Sequence, residues 1–225
     1  LGRVYVRVFH GLNVTGREHL PWSRNPGPMI VIANHTAGID PMLIQAVCRF
    51  PVRWMMAVDM RLPALEWFWN WIRIIDVDRD AGASVTAVRD AMRHLRSGGV
   101  LGIFPEGQIA RPARRLLPFQ AGVGALVQRT GAIVLPVVID GTPQVQPAWA
   151  SLWRPSRATV RILPPIDYTG TGLTGEEIVK DLRQRFADWT GWPTVPAREP
   201  SPPLPVEEPA PSRRRNGGSA GAPAA

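Results

Sequence analysis

Three short apolar runs, Met29 to Ala33, Val100 to Phe104 and Ile133 to Ile139, recur along this chain, with a helical-period stretch before the second and before the third. Each run is rich in β-branched residues and follows turn formers: Pro26-Gly27-Pro28, Gly98-Gly99 and Gly131. Runs of this length and composition read as buried strands. Ser84 to Arg96 places Val85, Val88, Met92 and Leu95 at helical spacing, and Gly122 to Arg129 reads as a helix closed by Gly131. A strand, a crossover helix and another strand predict parallel pairing. The fold class expected is therefore α/β, a central largely parallel or mixed β-sheet flanked by helices. Pro136 within the third run suggests a bulge or a non-bonded edge position.

Other stretches fill in the frame. Ile74 to Arg79 alternates like a strand and delivers Arg79 to its end, and Thr159 to Leu163 reads as a last strand. Thr174-Gly175-Glu176-Glu177 is a capping box, opening a helix with Ile178, Leu182, Phe186 and Trp189 on one face. Leu1 to Leu12 fits a strand or the end of an amphipathic helix equally. Val52 to Ile75 carries Trp54, Trp67, Phe68, Trp69 and Trp71 around a helix expected from about Ala64 to Ile72. The four aromatics at 67–71 cannot share one helix face, so core packing and an aromatic surface at a lipid interface are both open readings.

At 225 residues, 45% of them hydrophobic, the chain supports one sizeable domain, expected over residues 1–192. From Pro193 to Ala225 the composition turns to Pro, Ala, Ser, Glu and Arg, predicting a disordered tail. The formal net charge is +8, and Lys180 is the single lysine among 26 basic residues. Arginine is the side chain best shaped for bidentate phosphate contact, so nucleic acid, anionic lipid and phosphorylated small molecules are the partners the charge admits. No nucleic-acid motif accompanies it, which ranks the nucleic-acid reading last, and no GxxxxGK loop is present, which gives an NTP reading little weight. Cys48 stands alone on an apolar helix, excluding an internal disulfide and reading as a packing residue, with no metal site expected. No apolar run reaches bilayer-spanning length, so membrane contact is expected to be peripheral; the start at Leu1 rather than Met leaves room for a missing amino-terminal anchor.

The chemistry concentrates at the ends of the first two strands. Asn34 to Ile39 leaves the strand at Met29, and Asp40-Pro41 reads as a helix start with Asp40 at the N-cap. His35 thus falls in a loop at the carboxyl end of a strand, where open α/β sheets bind ligands. A carboxylate five positions on can hold one ring nitrogen and leave the other as a base. The bland reading is a helix cap and an idle loop histidine. Val100 to Phe104 runs into Pro105-Glu106-Gly107, then Arg111, Arg114 and Arg115, a candidate anion site on the same sheet edge as His35.

Taken in order, these motifs resemble the lysophosphatidic acid acyltransferases, also called 1-acylglycerol-3-phosphate acyltransferases. The match rests on Asn34-His35 with Asp40, the strand ending in Arg79, Phe104-Pro105-Glu106-Gly107, Leu117-Pro118-Phe119 and Val134-Leu135-Pro136-Val137. It implies a glycerol-3-phosphate acyltransferase-like fold and an O-acyltransferase of phospholipid synthesis. His35 would be the general base on the free hydroxyl of a lysophospholipid, oriented by Asp40. The hydroxyl would attack the thioester of acyl-CoA or acyl carrier protein, a co-substrate, with no cofactor. Arg79, Glu106, Gly107 and Arg111 would position the acceptor and its phosphate, and backbone N–H groups of the His35 loop would stabilise the oxyanion. The implied partners are the lysophospholipid, the thioester donor and the membrane surface, at the cytoplasmic side of the cell membrane, with no nucleic acid. Gln108-Ile109-Ala110 replaces the family's usual Thr-Arg-Ser, and Gln120 stands where lysine is frequent, so another lysolipid or lipid-like alcohol is an alternative acceptor. Thioester hydrolysis and a basic membrane- or nucleic-acid-binding module are the rival functions.

Overall fold

The computed structural model describes residues 2–58, 74–77 and 85–196. Arg79, the helix expected at 64–72 with its aromatics, and the tail from residue 197 lie outside the described residues.

Met29–Ala33 forms β2, buried at every position. It stands at the middle of a seven-stranded sheet of order β1-β7-β6-β2-β5-β3-β4, with β1 Asn13–Thr15, β3 Arg53–Ala57, β4 Ile75–Val77, β5 Val100–Ile103, β6 Ile133–Asp140 and β7 Thr159–Ile162. β2 pairs in parallel with β5 through Met29↔Val100 to Ile32↔Ile103, and with β6 through Met29↔Ile133 to Ala33↔Val137. β6 and β7 are antiparallel, which makes the sheet mixed. After β2 the chain goes to the β5 side of the sheet and later crosses to β6 on the other side. This reversal puts a switch point at the carboxyl end of β2, where α/β sheets open a crevice.

Alternation along the central strands sorts the core into two layers. Ile30 and Ile32, with Leu101, Ile103, Val134 and Val138, face Ala87, Ala91 and Leu95 of α3 (Val85–Arg96), Val123, Leu126 and Val127 of α4 (Ala121–Thr130), and Ile178, Leu182 and Phe186 of α5 (Gly175–Thr190). Met29, Val31 and Ala33, with Leu135, Val137 and Ile139, face Val6 of α1 (Gly2–Phe9) and Leu43, Ile44 and Val47 of α2 (Asp40–Val47). Each fully buried aliphatic side chain here contributes about 1.5–3 kcal/mol relative to exposure. Cys48 is buried at the end of α2, and burial pushes its thiol up to about 12, which suits packing and not nucleophilic attack.

The sequence expectations hold for most elements, including the capping box, in which the Thr174 side chain accepts from the Glu177 N–H and the Glu177 carboxylate from the Thr174 N–H. Four points go further. Residues Gly2–Phe9 are helical, resolving the open reading of the first stretch. Asp40 is the first residue of α2 and Ile39 is its N-cap, because the Asp40 carboxylate is spent on the preceding loop. Pro136 lies in an interior strand: N–H groups of β6 alternate sides, with Ile133 donating to Pro28 and Val134 to Ile166. The donor missing at 136 therefore faces Leu163 to Pro165, three residues standing opposite the two between Val134 and Val137, so the expected bulge is present and the edge position is not. His94 of α3 is partly buried and hydrogen-bonded through Nε2 to the Val100 carbonyl at 3.0 Å. Packing also continues past Trp192: the Val195 N–H donates to Leu116, and the Val195 side chain is buried.

Candidate active site

The loop from Asn34 to Ile39 is tied down at both ends of its backbone. Asn34 extends the β2–β6 ladder with its side chain: Nδ2 donates to the Ile139 carbonyl at 2.9 Å and Oδ1 accepts from the Ile139 N–H at 2.8 Å. A strand that ends at Ala33 thus gains one more rung, and the next residue, His35, leaves the sheet from a fixed point. Asp40 is fully buried, and its Oδ2 accepts from the N–H groups of Thr36 at 2.6 Å and Ala37 at 2.8 Å and from His35 Nδ1 at 2.9 Å. An ionised carboxylate only accepts, so the proton of the imidazole sits on Nδ1 and Nε2 carries the lone pair. The His35 side chain is 16% exposed. The result is an imidazole fixed through Nδ1, whose Nε2 is not held by the loop.

The imidazole is also stacked on one face. Its ring stacks on Phe104 at 4.0 Å between centroids and 14° between planes, and Phe104 stacks on Trp54 at 5.0 Å and 14°. Trp54 can lie flat because the strand beneath it carries Gly102: a Cβ there would come within 2.5 Å of the indole.

Glu106 shares the sheet edge with His35, as the parallel pairing requires, but it faces inward. It is 2% exposed, and its two oxygens accept from the N–H of His35 at 3.2 Å and of Leu117 at 3.1 Å. The carboxyl braces the loop that carries His35. Burial pushes it up to about 8 against the pull of those two donors and of Arg183, with Asp40 adding to the rise. Gly107 closes the turn Phe104-Pro105-Glu106-Gly107, its N–H donating to the Phe104 carbonyl at 3.1 Å, and its φ of 69° is a conformation that glycine adopts without strain.

The three arginines do not form a bare anion clamp. Arg114 pairs with Asp140 at 3.0 Å. Arg111 reaches the Gln146 side chain and the Val145 carbonyl, both neutral acceptors. Arg115 is partly buried, with Nε unbonded. Three of the loop N–H groups expected as oxyanion donors are likewise committed: those of His35, Thr36 and Ala37 turn inward to Glu106 and Asp40. Among the described residues, no group of three or more His, Cys, Asp or Glu converges as a metal site.

Sequence reading did not single out Asn34 as a clamp, Thr36 and Thr142 as a buried pair, or Phe104 and Trp54 as a stack. Gly102 was the available signal, since a glycine inside a strand marks close approach.

A sequence model of the acyltransferase family matches residues 11–140. Among curated proteins, the chain is 24% identical over 145 residues to a chloroplastic 1-acyl-sn-glycerol-3-phosphate acyltransferase of Arabidopsis thaliana, covering 64% of this chain and 40% of that protein. It is 30% identical over 132 residues to the 1-acyl-sn-glycerol-3-phosphate acyltransferase of Borreliella burgdorferi, covering 57% and 51%. The chain thus spans about half the length, or less, of these relatives. The crystal structure of the 1-acyl-sn-glycerophosphate acyltransferase of Thermotoga maritima superposes with a TM-score of 0.65 at 26% identity, over 83% of this chain and 75% of that one. The family match takes in β2, the His35 loop, Asp40, the Glu106 turn and β6, the elements that build the site, and the chain belongs to the acyltransferase family.

Proposed function

We propose that the chain moves a fatty acyl group from an acyl thioester, acyl-CoA or acyl carrier protein, to the free hydroxyl of a lysophospholipid, with 1-acylglycerol-3-phosphate giving phosphatidic acid as the first acceptor to test. The observation that carries this is His35 held through Nδ1 by a buried Asp40, with Nε2 left for a proton. Nε2 takes the proton of the acceptor hydroxyl as its oxygen attacks the thioester carbonyl. The C–S bond breaks, the sulfur leaves with the proton from the imidazolium, and the ester forms. Asp40 stabilises the transient cation through a charge-assisted hydrogen bond. The relatives' names support the acceptor class. For its phosphate we assign Arg111, whose guanidinium is oriented by neutral partners, with Gly107 at the same loop and Arg79 by family resemblance.

We assign the membrane contact to one face. Val4 and Val8 of α1 are 65% and 77% exposed, and Trp149 and Trp153 of the short helix Ala148–Trp153 are 43% and 71% exposed. The two elements are fastened together by Tyr5 to the Leu152 carbonyl, and the segments that follow them by the Ala158 N–H to the His10 carbonyl at 2.9 Å. Arg7, Arg154 and Arg157 are exposed beside them, and residues 2–17 and 141–166 contain no Asp or Glu. Such a basic, apolar face suits the anionic cytoplasmic surface of the cell membrane.

The test is mass spectrometry of products from purified protein, a long-chain acyl-CoA and a panel of lysolipids. Phosphatidic acid from lysophosphatidic acid, with thiol release dependent on that acceptor, is the expected result. Thiol release without any acceptor would assign a hydrolase instead.

A further inference from the structure

Thr142 lies 102 positions beyond Asp40 in the sequence, yet it touches the residue that holds Asp40 in place. It sits in the turn leaving β6, the strand beside β2, so both parallel strands deliver their following loops to one edge. The turn is set by Gly141, with φ 74°, where a Cβ would collide with the Arg157 carbonyl. Thr142 is 9% exposed and Thr36 2%. Their hydroxyl oxygens are 2.6 Å apart, and Thr36 Oγ1 is 3.3 Å from each oxygen of Asp40. A hydroxyl has one proton. Thr36 gives its proton to the carboxylate, so Thr142 donates to Thr36, and the chain of donors ends on Asp40. The same segment grips the loop twice more: Gln144 Nε2 donates to the Thr36 carbonyl, and Gly38 lies so close to Ala148 that a Cβ would be 2.5 Å from its carbonyl oxygen.

We propose that Thr142 is a positioning residue of the reaction, acting through Thr36 on Asp40 and so on the orientation and basicity of His35. The proposal rests on His35 being the base. With the Thr142 hydroxyl present, Thr36 is a stronger donor to Asp40 and spreads part of its negative charge. Without it, more of that charge falls on His35. Asp40 and Glu106 are the titratable groups hydrogen-bonded to His35, and neither is itself substituted in the variants at 142.

The experiment is steady-state acyl transfer by the full chain across pH for Thr142→Val, Thr142→Ala and Thr142→Ser. For Thr142→Val the expected result is a fall in kcat of about fivefold to tenfold with the acceptor KM unchanged. The acid limb of the kcat profile should move to higher pH, and Thr142→Ser should restore both. Valine must draw back from Thr36 because a methyl does not fit at 2.6 Å; if it prevents folding, Thr142→Ala gives the same readings with room to spare. A kcat within twofold of the parent and an unmoved acid limb would overturn the proposal. So would a loss that serine does not restore, which would mark a packing role alone. Full activity in His35→Ala is a separate outcome and refutes the base, whereas a His35-dependent reaction insensitive at 142 refutes only the positioning.

Discussion

Gly102→Ala puts a single methyl under the aromatic stack that carries His35. The added Cβ would sit 2.5 Å from Trp54 Cε3 and 2.7 Å from Cδ2 and Cζ3. Carbon atoms settle at about 3.5–4.0 Å, so the indole must retreat by about 1 Å. Trp54 is 7% exposed and already in contact with Phe104, which leaves little free space to take up the movement. Overpacking of this kind costs about 1–3 kcal/mol, a fall in Tm of about 2–12 °C for a chain of this size. The displacement passes along the stack to the imidazole, and a misplacement of about 1 Å at a reacting group costs up to about a hundredfold in rate. The assay is thermal unfolding and kcat for acyl transfer measured on the same preparations. Gly102→Ala combined with Trp54→Leu should recover part of the stability lost by the first change, since the smaller side chain makes room. A Gly102→Ala protein with parental Tm and parental kcat would refute the reasoning, because it would mean that the indole does not rest on this strand.

Other expectations are narrower. Asp40→Asn keeps an oxygen for the Thr36 and Ala37 N–H groups but removes the charge, and kcat at saturating acceptor should fall by about two orders of magnitude while the protein stays folded; a change under threefold would deny Asp40 its role. Glu106 is raised by burial from an ordinary 4.5 to about 8 in the folded state. Between those values the native protein holds a proton that the unfolded chain has lost, so this group's contribution is greatest below about 4.5 and disappears as pH rises through 8. Urea midpoints should therefore drop between pH 5 and pH 8 in the parent, and Glu106→Gln should flatten that drop; parallel curves for the two proteins would contradict it. Gly38→Ala drives a methyl into the Ala148 carbonyl and should lower Tm by several degrees, as differential scanning fluorimetry would read.

How much of this was legible in the sequence follows the range of the interactions. β2, β5 and β6 are written in local apolar runs, and the capping box of α5 is a four-residue pattern, so pattern reading finds them. β1 and β3 were not found. β1 has three residues, none of them buried, and β3 reads Arg-Trp-Met-Met-Ala, whose only buried member is Trp54. The His35–Asp40 pair spans five positions in one loop and was visible for that reason. That Glu106 would share its sheet edge also followed from parallel strands. The direction of the Glu106 carboxyl did not, because it depends on two N–H groups, one 71 positions before it and one 11 after. The same holds for three loop N–H groups, those of His35, Thr36 and Ala37, which are turned to two buried carboxyl groups that no local pattern announces. Thr142 offers no local signal, since its partner is 106 positions away.

The central claim is that His35 removes the proton from the acceptor hydroxyl. Its most direct test is acceptor-dependent thiol release and ester formation by His35→Ala beside the parent, at saturating acyl-CoA and lysophosphatidic acid, with Tm confirming that both are folded. General-base catalysis accounts for about 10²–10⁴ in rate, so the variant should lose at least a hundredfold in both products together. Equal rates in the two proteins would contradict the account.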